Sequence, residues 1–189
     1  MGGSYLGFIC DVIFRSCHPT GGSNTLRPVE PPRHVVLFTL HAYASWMPDR
    51  KEGFYQNRNG LRTSNASEAS RYRTRQKQEE VVFTGEMQHA LIERLREAAR
   101  FQKWHPFAVA TDAAHLHFLT AWDDDREPVR LQSNAKESLT RELNERFGAR
   151  RWFTRNGHDR RVRSEEHFVH LRDVYLPNHP GVCWDRRDQ

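Results

Sequence analysis

The sequence predicts an α+β fold, an antiparallel β-sheet with helices packed on it. Short runs rich in apolar and β-branched residues alternate with longer stretches whose apolar residues recur at helical spacing. Two of the short runs also follow each other with only a few residues between, which is the order of a hairpin and not of a parallel crossover.

The elements follow in order. Arg33-His34-Val35-Val36-Leu37-Phe38-Thr39-Leu40-His41 reads as a strand, and its continuous apolar run predicts a central one. Trp46-Met47-Pro48-Asp49 reads as a structural corner. Residues 48–80 are polar and carry Pro48, Gly53, Gly60 and the basic run Arg71, Arg73, Arg75 and Lys77. They read as a long excursion, either gripping phosphates or forming a disordered basic arm. Thr84 opens a helix with Met87, Leu91, Leu95 and Ala98-Ala99 on one stripe, ending before Pro106. Phe107–Ala110 and Leu116–Trp122 form the hairpin, connected through Thr111–Ala114. Asp123-Asp124-Asp125 closes it as a solvated turn. A second long helix spans Leu131–Phe147, with Leu131, Ala135, Leu139, Leu143 and Phe147 on its stripe and Gly148 as its stop. A short strand near Val162 leads to a third helix capped by Ser164, with Phe168, Leu171 and Val174 or Tyr175 as its apolar face.

Length and composition bound the rest. The 189 residues fit one domain, expected over residues 33–185, with residues 1–32 as a poorly ordered extension bracketed by Gly21-Gly22 and by Pro28, Pro31 and Pro32. A hydrophobic content of 37% and a mean hydropathy of −0.84 leave a modest core under a polar surface. The net charge of +5 suits a polyanionic partner. Cys10, Cys17 and Cys183 form no metal-type or disulfide pattern, which points to a reducing cytoplasm. The apolar run Tyr5–Phe14 is interrupted by Asp11 and is too short to span a bilayer, so no membrane association is expected.

His115-Leu116-His117 carries the chemistry. Side chains alternate along a strand, so both imidazoles leave one face while Leu116 points to the other. Two imidazoles fixed on one face can hold a divalent metal with positions left open. With 11 histidines in the chain, such a spacing also arises by chance, and a pair of surface histidines is the bland alternative.

The order of these features resembles the single-tyrosine HUH transposases, in particular the REP-associated tyrosine transposase branch, over residues 33–184. The marks are Trp46-Met47-Pro48-Asp49, Val82-Phe83-Thr84-Gly85, His115-Leu116-His117, Leu131-Gln132-Ser133 leading to Lys136 and Thr140-Arg141, the Trp152-Phe153-Thr154-Arg155-Asn156-Gly157 loop, and the tyrosine helix. The resemblance implies an HUH-type, ferredoxin-like palm and a transposase-like enzyme acting on single-stranded or hairpin-containing DNA, hence a place at the nucleoid. It further implies His115 and His117 as ligands of Mg²⁺ or Mn²⁺, Tyr175 as the nucleophile forming a 5′-phosphotyrosine, and His179 as the third ligand. Some relatives are dimers that exchange the tyrosine helix, so a homodimer stays open. A catalytically decayed hairpin-binding protein is the alternative function.

One feature departs from the family pattern. Pro177 cannot donate a helical hydrogen bond and disfavours helical geometry at Leu176. Either the helix kinks there or it ends at Tyr175, with His179 on the next turn. A core role beside Leu171 is the plain alternative for Tyr175, and His167 and His170 are rival ligands.

Arg150, Arg151, Trp152 and Arg155, followed by Arg160 and Arg161, interleave cations with an aromatic ring, as single-stranded nucleic acid requires. Lys136, Arg33 and His34 are further candidate DNA contacts. The alternatives are a solvated basic loop, a Trp152 tucked into the core and a solvent-facing Lys136.

Overall fold

The computed structural model describes residues 34–45, 47–49, 54–56 and 60–188. The expected extension at residues 1–32, with Cys10 and Cys17, lies outside the described residues, as do Arg33 and Trp46.

A five-stranded antiparallel sheet in the order β6-β1-β5-β4-β7 forms the frame. β1 (His34–His41) and β5 (His115–Trp122) pair along their whole lengths, from His34 opposite Trp122 to His41 opposite His115. β4 (His105–Thr111) lies on the other side of β5, with an irregularity between Pro106 and Ala108. β6 (His158–Arg161) and β7 (Cys183–Asp185) close the two sides. The fold is therefore α+β, as the hairpin order predicts. β1 is buried along both faces except at its ends, which matches its unbroken apolar run. Within the polar excursion, β2 (Phe54–Gln56) pairs with β3 (Gly60–Arg62). Helix α1 (Ala66–Arg75) follows, capped by the Asn65 side chain, and Arg73 of its basic run pairs with Asp49 at 2.5 Å.

Two long helices cover one face of the sheet. α2 (Gly85–Gln102) starts on Thr84, whose hydroxyl accepts from the Met87 N–H. α3 (Pro128–Phe147) starts three residues ahead of the first apolar repeat, because Pro128 costs no hydrogen bond in a first turn. It stops at Gly148, whose φ of 90° suits a residue without a Cβ. Val36, Phe38, Leu40, Val109, Phe118 and Trp122 of the sheet pack there against Leu91, Leu95, Leu131, Leu139 and Leu143. The opposite face buries Val35, Leu37, Ala110, Leu119 and Ala121 under Phe168, Leu171 and Leu176.

The element on that second face departs from the expected helix. α4 (Glu165–Val169), capped by Ser164, passes into a π-helical turn (His170–Tyr175). The Leu176 N–H bonds the Leu171 carbonyl, five residues back. This wider spacing turns Leu171, Arg172 and Leu176 inward and leaves Val174 and Tyr175 exposed, so neither joins the apolar face expected from α-helical periodicity. Leu176 keeps helical angles despite Pro177. The ladder stops at the proline, which has no N–H to continue it. Arg172, only 5% exposed, makes a bidentate bond to Asp185 of β7 at 2.8 and 2.5 Å. Burial works against that carboxylate, but hydrogen bonds from Arg172 and Arg187 outweigh it and bring its pKa down to about 2.

This pair ties the π turn to the sheet. Arg172→Ala is expected to cost about 3 kcal/mol, because it strands a half-buried carboxylate with Arg187 alone. The double replacement Arg172→Met/Asp185→Leu should recover most of that loss. Urea denaturation of the three proteins checks both statements.

Candidate active site

Strand pairing assembles the site. Thr39 lies opposite His117 and His41 opposite His115, so all four side chains share the sheet face that carries the π turn. His179 arrives from the turn after Pro177. The ligand atoms of His115, His117 and His179 lie within 4.8 Å of one another, forming a group that could hold a metal ion. Ring centroids stand 4.5 Å apart for His115 and His117 and for His117 and His179, and 5.5 Å apart for His115 and His179.

The outer partners of these rings fit a metal. Nδ1 of His117 lies 2.8 Å from the Thr39 hydroxyl, Nδ1 of His115 lies 2.9 Å from Asp112 Oδ1, and Nδ1 of His179 lies 3.1 Å from the Tyr175 carbonyl oxygen. The Asp112 carboxylate and the Tyr175 carbonyl can only accept, which suits a proton on Nδ1 of His115 and of His179 and leaves each Nε2 lone pair for a cation, while the Thr39 hydroxyl can accept from Nδ1 of His117 when that ring's Nε2 binds one. His117 is 4% exposed, and its pKa is pushed down to about 2, chiefly by burial and then by His115, His179 and His41. It is therefore neutral wherever the protein folds, as a ligand must be.

Tyr175 belongs to this cluster and not to the core. Its hydroxyl lies 3.4 Å from His117 Nε2, and its ring lies 5.4 Å from that of His117 and 5.0 Å from that of His179. Burial raises its pKa; the nearby Arg160 opposes that shift, and Asp112 adds to it. The Pro177 departure is compatible with this geometry, since Tyr175 closes the π turn and His179 follows in the bend. The rivals His167 and His170 join no such ligand group among the described residues.

The turn bearing His179 is held from below. Gln88 Oε1 accepts from the Val182 N–H and the Thr111 hydroxyl, and the Thr111 N–H donates to the Val182 carbonyl. A Cβ at Gly181 would collide with the Thr111 carbonyl and with Gln88, so only glycine lets the turn lie this close.

The candidate DNA contacts divide. The loop before β6 reaches the histidine end of the sheet, where the Thr154 N–H bonds the His41 carbonyl and Ala42 bridges to Phe153. Trp152, expected to stack on bases, is instead 2% exposed, with its indole N–H on Asn144. It packs beside Phe147 and offers no open ring face. Lys136 spends its ammonium on the carbonyls of Thr154 and Arg155, and its burial lowers its pKa. It braces the loop and does not reach outward. Arg150 bonds the Glu79 carbonyl and lies over Trp152, while Arg151 lies over Tyr43. Arg155, Arg160 and Arg161 are exposed. Arg160 pairs with Leu37 and so shares the face of His117, whereas Arg161 pairs with Val36 and points to the other face. His34 stacks on Trp122 at the far end of β1, away from the cluster.

Sequence reasoning missed Thr39, His41 and Asp112. His41 and Thr39 become visible once the first strand is laid antiparallel to the His115-Leu116-His117 strand. Asp112 accepts the Ala114 and His115 backbone N–H groups as well as the His115 ring, a role for a hairpin aspartate three residues upstream.

No family model and no curated protein matches the chain. Two solved structures overlay on it. A REP-associated tyrosine transposase bound to a REP hairpin does so with a TM-score of 0.44 and 11% identity, over 82% of this chain and 70% of its own. A protein of Deinococcus radiodurans R1, named as a transposase, does so with a TM-score of 0.46 and 12% identity, over 83% of this chain and 98% of its own. Neither overlay assigns a role to a residue of this chain.

Thr39→Val keeps the shape of the side chain and removes the hydroxyl at His117 Nδ1. Mn²⁺ affinity is expected to fall by about 10–100-fold, read by titration of the metal-free protein. A second expectation concerns acid. The folded pKa of His117 lies below its unfolded value near 6.5, so acidification favours the unfolded chain, which takes up the proton the native site refuses. Stability of metal-free protein should therefore fall as pH drops below about 6.5, by up to about 1.4 kcal/mol per unit from this residue. His117→Gln should flatten that slope in denaturant melts from pH 7 to 4.5.

Proposed function

We propose that the protein is a metal-dependent enzyme that cleaves single-stranded DNA and transfers the strand through a 5′-phosphotyrosine, in the manner of an HUH-type transposase. The observation that carries this reading is the Tyr175 hydroxyl, 3.4 Å from Nε2 of His117 inside a three-histidine group whose Nδ1 atoms each have a polar partner. A tyrosine and three inward-facing ligand atoms on one patch suit phosphoryl transfer.

His115, His117 and His179 would hold the ion, which when bound supplies Lewis acidity at the scissile phosphate. Three imidazole ligands favour Mn²⁺ over Mg²⁺, since magnesium prefers an all-oxygen shell. The Tyr175 oxygen attacks phosphorus, the bond to the 3′ oxygen breaks, and that oxygen leaves as a hydroxyl after taking a proton. The new ester keeps the phosphodiester linkage energy, so a second 3′-hydroxyl can reverse the step without a nucleotide cofactor. Tyr175 must lose its proton against the effect of burial. The Arg160 guanidinium, on the same face, favours the phenolate and offsets charge on the substrate. Arg155 at the loop tip and Arg160 beside the cluster are the arginines placed to meet phosphate near the reacting centre.

The alternative of a decayed hairpin-binding protein drew on Pro177 and on the odd N-terminus. The nearness of Tyr175 and His179 to the histidine face supports the catalytic reading over it.

Incubation with hairpin-bearing single strands and Mn²⁺ should yield a protein–DNA adduct that survives denaturation, at lower metal concentration than with Mg²⁺. Tyr175→Phe is expected to abolish the adduct. His115→Ala and His117→Ala should reduce it by about 100-fold or more while hairpin binding persists. An adduct that persists undiminished in Tyr175→Phe sinks the assignment.

A further inference from the structure

On the far side of the sheet a cavity of about 460 Å³ opens between the end of α2, the start of β4 and the end of β7. It is separate from the histidine group. His105 pairs with Ala121, four residues along β5 from His117 and six from His115, roughly 13–20 Å at about 3.3 Å per residue. Trp184, which pairs with Val109, points to the opposite sheet face from Cys183 and Asp185.

The cavity wall is cationic. Arg96 and Arg100 come from successive turns of α2, Lys103 caps its C-terminus, and Arg186 faces them from beyond β7. No aspartate or glutamate lines it among the described residues. Basic residues at a helix C-terminus complement its dipole, which accounts for Arg100 and Lys103. Arg186 reaches the same cavity from another element. The Arg96 guanidinium lies 4.9 Å above the Trp184 ring, so the floor of the cavity is a flat cation–aromatic pair. The volume lies within the range of small-ligand sites, about 300–1,000 Å³.

We propose that this cavity is a second phosphate-binding site that takes one nucleotide unit, its phosphate on Arg100, Lys103 and Arg186 and its base against the Arg96–Trp184 pair. It rests on the reading above for the identity of the polyanion and deepens it, by giving the strand an anchor remote from the reacting tyrosine. A free nucleotide presents the same chemistry, and the experiment separates the two sources.

Binding of a fluorescein-labelled single-stranded oligonucleotide is measured by anisotropy on the Tyr175→Phe protein, which requires no cleavage. Arg100→Ala/Lys103→Ala is expected to weaken binding at least about tenfold near 0.1 M salt. It should also lower the slope of log affinity against log salt by about 0.7, the loss of one single-strand phosphate contact. Arg94→Ala/Arg141→Ala removes equal charge from between α2 and α3, outside this cavity, and should change affinity less than about twofold. A nucleoside monophosphate that displaces the strand from the parent, but not from the Arg100/Lys103 variant, identifies a site for a single nucleotide. Failure to displace identifies a strand contact. Equal losses in both double variants, or no loss in the first, overturn the proposal. Arg100→Gln/Lys103→Gln replaces the alanine pair if that pair does not fold. Absence of the tyrosine adduct with this binding intact would sink the catalytic reading and leave the cavity assignment standing.

Discussion

The pairing of β1 with β5 sets everything else in the molecule. Eight consecutive residue pairs run in register, and a slip of one would send each side chain of one strand to the opposite face. In the observed register His115 and His117 stand beside His41 and Thr39, while Leu116 and Phe118 enter the core under the long helices. Thr39, an otherwise ordinary strand residue, thereby becomes the partner of the most deeply buried histidine. The same pairing fixes the next row outward, where β6 brings Arg160 to the histidine face. The register is held by apolar residues on both sides of the sheet, so the polar site is positioned by contacts in which it takes no part.

The second determinant is the π turn. An α-helix through residues 170–176 would place residues by a 3.6-residue period. The observed turn instead buries Leu171 and Leu176, five apart, with Arg172 between them on the bidentate bond to Asp185. Tyr175 is released from the core as a result and stands at 38% exposure over His117. Its position thus depends on two anchors on either side, one apolar and one ionic. Immediately afterwards Pro177 ends the ladder, and Gly181 lets the chain lie against Thr111 and Gln88, which sets His179.

Much of this was legible in the sequence. Apolar runs and stripes gave the sheet and the long helices because those segments bury one or two faces, and burial writes a period into the chain. The strand spacing paired His115 with His117, the family resemblance added Tyr175 and His179, and these four side chains do meet. Other features left no such trace. Helical periodicity put Val174 or Tyr175 in the core, since a π turn has no local signature strong enough to displace the α-helical expectation. Trp152 in a basic loop and Lys136 on the second long helix were candidate nucleic-acid contacts. Whether an indole faces solvent or Asn144 depends on a helix eight residues back, and whether an ammonium faces phosphate or two carbonyls depends on a loop eighteen residues on. Arg172 left no signal in the sequence, because its partner, Asp185, lies thirteen residues on in a three-residue strand.

The two strands that bound the sheet have a consequence of another kind. β6, His158-Asp159-Arg160-Arg161, carries no apolar side chain and is exposed throughout, while β7 is three residues long and runs straight into a 3-10 turn at Arg186–Asp188. Neither border offers a long apolar ledge on which a foreign strand could continue the hydrogen-bonded ladder. The sheet is in effect a finished object, guarded by charge on one side and by brevity on the other. A crowded population of these molecules would resist fusing edge to edge into aggregates, and a second copy that associates specifically has to do so through helices or loops.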